Sequence, residues 1–137
     1  YRNEQATRDT IEPDGWLHTG DVASMDEDGC VFIVDLKNDM ILTAGFNVIH
    51  AEIERVVAGH PDVALVAVGS IADEDKGELA KAYIVPKTGT DPDSDDIIRY
   101  CREHLAAYKV PRAVQFVDDL PKTSTGKVMR RELKTLD

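Results

Sequence analysis

The sequence predicts a small α+β domain with a short antiparallel sheet flanked by helices. Three observations carry that expectation. Val63–Ala72 and Leu79–Val85 are nearly continuous apolar runs separated by a polar turn, Asp73–Gly77, which is the pattern of two buried strands paired antiparallel. Two other segments place apolar residues at helical spacing: Ile53, Val56 and Val57 in one, and Ile97, Ile98, Cys101 and Leu105 in the other. Strands and helices also mix along the chain instead of alternating strictly, which favours α+β over a doubly wound sheet.

The elements follow in order. Residues 1 to 14 are polar without an apolar period and are expected to form a surface segment. Trp16–Ala23 and Cys30–Leu36 read as the strands of a β-hairpin, with Asp26-Glu27-Asp28-Gly29 supplying the turn. Asn38-Asp39 interrupts the pattern. A short strand, Met40–Thr43, leads into a loop around Gly45, and His50–Ala58 is a helix stopped by Gly59-His60-Pro61. After the strand pair, Pro86 and a polar loop lead to a second helix, Ser94–Leu105, with Asp and Ser at its start. Ala113–Val117 is a short strand, Pro121–Lys127 a loop, and Val128–Leu136 has helical character with a basic exposed face.

Composition narrows the function classes. The net charge of the 137 residues is −10, yet the stretch from Lys109 onward holds seven Lys or Arg against four Asp or Glu. An acidic body repels nucleic acid, whereas a local basic tail suits a small anion such as a nucleotide phosphate. No apolar run is long enough to span a membrane. Cys30 and Cys101 are far apart without companion ligands, and His18, His50, His60 and His104 show no metal-ligand spacing. The cysteine usage leans cytoplasmic. The chain begins with Tyr1 rather than Met and is read as a piece of a longer protein.

The loop Pro121-Lys122-Thr123-Ser124-Thr125-Gly126-Lys127 combines hydroxyls, a glycine and a lysine, with Arg130 and Arg131 close behind. It is not a Walker A loop, because Pro121 and Val128 occupy the places that motif reserves for Gly and Ser or Thr. Taken alone it reads as a solvated basic loop. Asp21 in Thr19-Gly20-Asp21 could accept hydrogen bonds from a ribose diol or simply end a strand. Ala44-Gly45-Phe46-Asn47 alone reads as a tight turn.

Three segments in register change this reading. Gly15-Trp16-Leu17-His18-Thr19-Gly20-Asp21, the stretch from Ile33 to Leu42 continuing to Glu52-Ile53-Glu54, and Pro121 to Arg131 together resemble the motifs of the adenylate-forming superfamily. The resemblance covers essentially the whole chain and is closest to the fatty-acyl and aryl CoA ligase branch. It implies that residues 1–37 are the end of a large N-terminal domain, a β-hairpin, and that residues 38–137 are the mobile C-terminal domain, with Asn38 at the hinge. It implies an acid–thiol ligase that joins a small-molecule carboxylate, ATP and CoA through an acyl-adenylate. Mg²⁺ would be held mainly by ATP and the absent N-terminal domain. Lys127 would bridge the carboxylate and the phosphate, and Asp21 would hold the ribose. Gly45 and Phe46 would line the pantetheine path, while Tyr108, Arg112, Arg102 and Lys109 would meet the nucleotide of CoA. The acyl pocket lies upstream in the family, so this stretch alone is expected to turn nothing over. The sequence departs from the family pattern at Leu36, usually Arg, at Asn38, usually Asp or Lys, and at His50, commonly Pro. An adenylation domain with another acceptor, or a non-catalytic binding domain of the same fold, are the alternatives.

Overall fold

The computed structural model describes residues 2–36 and 40–136; the expected hinge, Asn38, lies outside the described residues. The chain divides into two compact units, Tyr1–Asp39 and Met40–Asp137.

The first unit opens with a helix that the sequence pattern did not announce, α1 (Glu4–Thr10). It buries nothing, so no apolar period was needed. Local bonds hold it instead: the Asn3 side chain accepts from Ala6 N at 3.0 Å, and Arg8 pairs with Glu4 one turn away at 3.0 Å. The hairpin follows as β1 (Asp21–Met25) and β2 (Val31–Leu36), antiparallel with Asp21 opposite Leu36 and Met25 opposite Val31. Asp26 organises its turn, its Oδ1 accepting from Asp28 N at 3.1 Å and Cys30 N at 2.8 Å. The first strand was expected from Trp16 but begins at Asp21. Gly15 and Gly20 adopt φ of +96° and +80°, which breaks the extended run. Leu17 instead forms an isolated bridge with Ile11. Val31, Phe32, Ile33 and Val34 are consecutive and all exposed.

The second unit contains β3 (Ile41–Thr43), β4 (Phe46–Val48), α2 (His50–Ala58), β5 (Val63–Asp73), β6 (Gly77–Pro86), α3 (Ser94–His104), β7 (Ala113–Phe116) and a terminal 3₁₀ helix, Arg130–Leu136. The sheet runs β4-β3-β6-β5 in antiparallel pairs, and β7 joins β6 in parallel, from Lys81 opposite Ala113 to Ile84 opposite Phe116. The expected strand pair and both expected helices are present, with the second helix stopping at His104 because Leu105 is extended.

The middle of strand β6 shows why its stretch Ala82–Val85 is apolar throughout. Ala82 and Ile84 face a core built with Ile53 and Val57 of α2 and Ile97 and Cys101 of α3. Tyr83, pointing the other way, joins Ala67, Leu120 and Leu133 in a second core. A strand covered on both faces cannot show polar alternation. Each fully buried aliphatic side chain contributes about 1.5–3 kcal/mol. His60, buried at the end of α2, joins the two helices: its Nδ1 accepts from Asp62 N at 3.3 Å and its Nε2 lies 3.4 Å from Asp96 Oδ2.

Candidate functional site

Lys127 stands on the second arm of a tight turn. Lys122 and Val128 bridge antiparallel, Thr123 N donates to Lys127 O at 2.8 Å, and Met129 N donates to Pro121 O at 2.8 Å. Inside the turn, Gly126 N donates to Thr123 O at 2.9 Å and Lys127 N to Thr123 Oγ1 at 3.1 Å. Gly126 has φ +84°, a conformation that a residue with a Cβ resists. The Thr123 hydroxyl and Gly126 thus serve the shape of this loop, and the shape exposes Lys127 to solvent. Among the described residues no carboxylate neutralises its ammonium. By contrast Lys122 pairs with Asp119 at 2.7 Å, and that bond holds the Asp119 carboxyl below the usual carboxylate range.

Two anchors fix this loop to the domain. Leu133 is fully buried in the second core. Arg130, three residues past Lys127, meets the Glu54 carboxylate with Nη2 at 3.0 Å from Oε2 and 3.2 Å from Oε1. Glu54 Oε1 also accepts from Val68 N at 2.9 Å. The pair is about three-quarters buried, with side-chain exposures of 25% and 22%, so its geometry is less averaged by solvent than a surface pair.

Gly45 lies at the tip of the β3–β4 hairpin. Ala44 and Gly45 take φ of +48° and +83°, as the central residues of a two-residue hairpin turn of the primed type do. Thr43 Oγ1 donates to Glu78 O at 2.7 Å, Leu42 N donates to Glu78 Oε2 at 3.1 Å, and Ala44 N to Lys76 O at 2.8 Å. The hairpin is therefore tied down on one side while its tip is open.

The structure brings Phe46, Tyr108 and Lys109 together. The Phe46 and Tyr108 rings stack with centroids 4.6 Å apart, and Lys109 Nζ is 5.7 Å from the Tyr108 centroid. Lys109 is held by Glu52 of α2, its Nζ 2.6 and 2.7 Å from the two carboxylate oxygens. The hydrogen bond to Glu52 raises the Lys109 ammonium above the usual lysine range. Arg102 and Arg112 belong to a different place, an open cavity of about 330 Å³ that they share with Ile98, Leu105, Ala107, Val110 and Pro111. Asp21 lies in the first unit, in a hollow of about 560 Å³ with Asp9, Leu17, His18, Thr19 and Gly20, and its N–H donates to Thr19 Oγ1 at 3.2 Å. Among the described residues no group of three or more His, Cys, Asp or Glu is placed to hold a metal ion.

Glu52, Glu54 and Glu78 support the site in roles the sequence did not assign, although Glu52 and Glu54 stand within one of its motifs. A hint was available in Glu52-Ile53-Glu54, two carboxylates on opposite sides of one helix facing a chain whose far end is basic.

Residues 52–127 match the family described as the AMP-binding enzyme C-terminal domain. The long-chain-fatty-acid–CoA ligase of Salmonella typhimurium is 51% identical over 134 residues, covering 98% of this chain and 24% of the ligase. ATP-bound MatB from Rhodopseudomonas palustris superposes with a TM-score of 0.93 at 34% identity, covering 99% of this chain and 27% of MatB. The amide bond synthetase McbA from Marinactinospora thermotolerans does so with a TM-score of 0.88 at 37% identity, covering 99% and 28%. The chain spans about a quarter of the length of the curated relatives it matches. Among the described residues no helix is long and apolar enough to cross a membrane. With the family match covering more than half of its residues and its fold shared over nearly its whole length, the chain belongs to the AMP-binding enzyme C-terminal domain family.

Proposed function

We propose that this chain is the mobile C-terminal portion of an ATP-dependent acid–thiol ligase acting in fatty-acid metabolism in the cytoplasm, inactive without its N-terminal domain. Residues 1–37 end that larger domain and 38–137 form the moving one, turning about Asn38. The observation that carries the reading is Lys127, presented on a rigid turn with its ammonium exposed and unneutralised among the described residues. In the first step a carboxylate oxygen bonds to the α-phosphorus of ATP while the bond to the leaving pyrophosphate breaks. Two anions meet, and an ammonium between them offsets the developing charge. In the second step the sulfur of CoA bonds to the acyl carbon, its proton is lost to solvent or base, and AMP leaves with the acyl–oxygen bond electrons.

Asp21 takes the ribose hydroxyls of the adenylate. The Gly45–Phe46 tip, with Tyr108 and Lys109 beside it, takes CoA, its open turn passing the pantetheine arm and its aromatic and cationic groups meeting the nucleotide. Arg102 and Arg112 offer a second cationic patch for the CoA phosphates. Leu36 cannot make the nucleotide bonds of an arginine, so the nucleotide leans more on Asp21 and Lys127. A second reading, amide formation with an amine acceptor, draws on the similarity to McbA.

The test uses the full-length parent beside its Lys127→Ala variant. Carboxylate-dependent exchange of pyrophosphate into ATP is measured across a panel of acids, then thioester formation with CoA. Loss of one such charge-stabilising group lowers exchange by about 10²–10³-fold. Wild-type protein that is folded yet exchanges nothing refutes the ligase reading. Exchange followed by amide but no thioester selects the second.

A further inference from the structure

We propose that helix α2 positions the two halves of the reaction separately, Glu54 through Arg130 for adenylation and Glu52 through Lys109 for thioester formation. The inference rests on the proposed ligase function and assigns roles to residues beyond it. Glu52 and Glu54 stand two positions apart on one helix, about 200° around its axis, and so project to opposite sides. Glu54 grips Arg130 at 3.0 and 3.2 Å on the side of the Lys127 turn. Glu52 grips Lys109 at 2.6 and 2.7 Å beside Tyr108, which stacks on Phe46 at the tip of the Gly45 hairpin.

Neither carboxylate is placed to touch a reacting atom. Glu54 has its Oε1 occupied by Val68 N at 2.9 Å and by Arg130, and Glu52 is bidentate on Lys109. They are positioning residues. Glu54 also ties Arg130 to the backbone of β5, giving the Lys127 turn a fixed reference within the sheet. A helix that is itself rigid, with Ile53 and Val57 fully buried, keeps the two loops in constant relation while the domain turns to present first one and then the other.

The full-length parent is compared with Glu54→Gln and Glu52→Gln in two assays: carboxylate-dependent pyrophosphate exchange without CoA, and single-turnover transfer from preformed acyl-adenylate to CoA. Glu54→Gln is expected to lower the exchange turnover by about ten-fold or more, the scale set by small misplacement of a reacting group, and to change transfer far less. Glu52→Gln is expected to raise the KM for CoA in transfer and leave exchange near wild type. Glutamine keeps an acceptor for Val68 N, so the fold is retained. Should Glu54→Gln unfold, Arg130→Gln is read in its place beside Arg130→Lys, which restores most of the exchange if the ion pair does the positioning. Equal losses in both assays for both variants, or no loss in either, overturns the division of roles. Wild-type parent without exchange overturns the ligase reading and the division with it.

Discussion

Replacing Leu133 by Ala tests how firmly the Lys127 turn is seated. Leu133 is fully buried and shares the smaller core with Ala67, Tyr83 and Leu120. The packing is close: a methyl group built on Gly69 would lie 3.4 Å from Tyr83 Cε2 and 3.5 Å from Leu133 Cδ1. There is little room for neighbours to collapse into the gap, so the loss sits in the usual range for a buried Leu→Ala change, about 3 kcal/mol. For a unit of this size each kcal/mol moves the melting temperature by roughly 4–8 °C, which predicts a fall of about 12–24 °C. Circular dichroism during heating measures it, with guanidinium unfolding as a check that the slope, and so the cooperativity, is unchanged. A fall of under about 4 °C, less than 1 kcal/mol by the same scale, would mean that the terminal 3₁₀ helix is not docked. Leu133 would then not be what seats the Lys127 turn.

Two further predictions concern titratable groups. Cys101 is fully buried, and burial pushes its thiol pKa up to about 11. At pH 8 a thiol reagent should label exposed Cys30 in the native protein and reach Cys101 only when denaturant is added; two equivalents labelled natively would refute the packing of α3. Lys109 has a native pKa raised above its ordinary 10.5 by Glu52, so the protonated form is favoured by folding. The pair's contribution, about 1 kcal/mol for an ion pair of this kind, is fully present below pH 10.5 and is lost as pH rises through the raised native value. Urea midpoints of wild type and Glu52→Gln should differ at pH 8 and converge in strong alkali, and a gap that widens there would show the sign to be wrong.

The parts of the fold legible in the sequence were those whose burial imposes a period. Helix α2 announces itself because Ile53 and Val57 must face one core, and β5 and β6 because two cores claim their alternate residues. Helix α1 left no such trace, since a helix without buried residues is written in its cap and its pairs one turn apart, Glu4–Arg8 and Gln5–Asp9. Strand β4 buries Val48 alone, with Phe46 and Asn47 exposed, so it shows no alternation, unlike the equally short β3. Among the candidate site residues, the sequence named the loop bearing Lys127 and the tip bearing Gly45. It did not reveal that Phe46, Tyr108 and Lys109 converge while Arg102 and Arg112 line a separate cavity. Nor did it pair Glu52 with Lys109 and Glu54 with Arg130, partners 57 and 76 residues apart that only the folded chain brings together. Local pattern carries no information about contacts at that range.

The bond from Val68 N to Glu54 has a bearing on solubility as well. Strand β5 is eleven residues long, rich in Val and Ala, and lies at the margin of its sheet. Such a margin offers unpaired amides to any extended chain that drifts alongside, the first move of edge-to-edge aggregation. A carboxylate seated on the amide midway along the strand interrupts that template and puts a charge where an incoming strand would have to lie. The residue that steadies Arg130 thereby also discourages the sheet from growing into its neighbours.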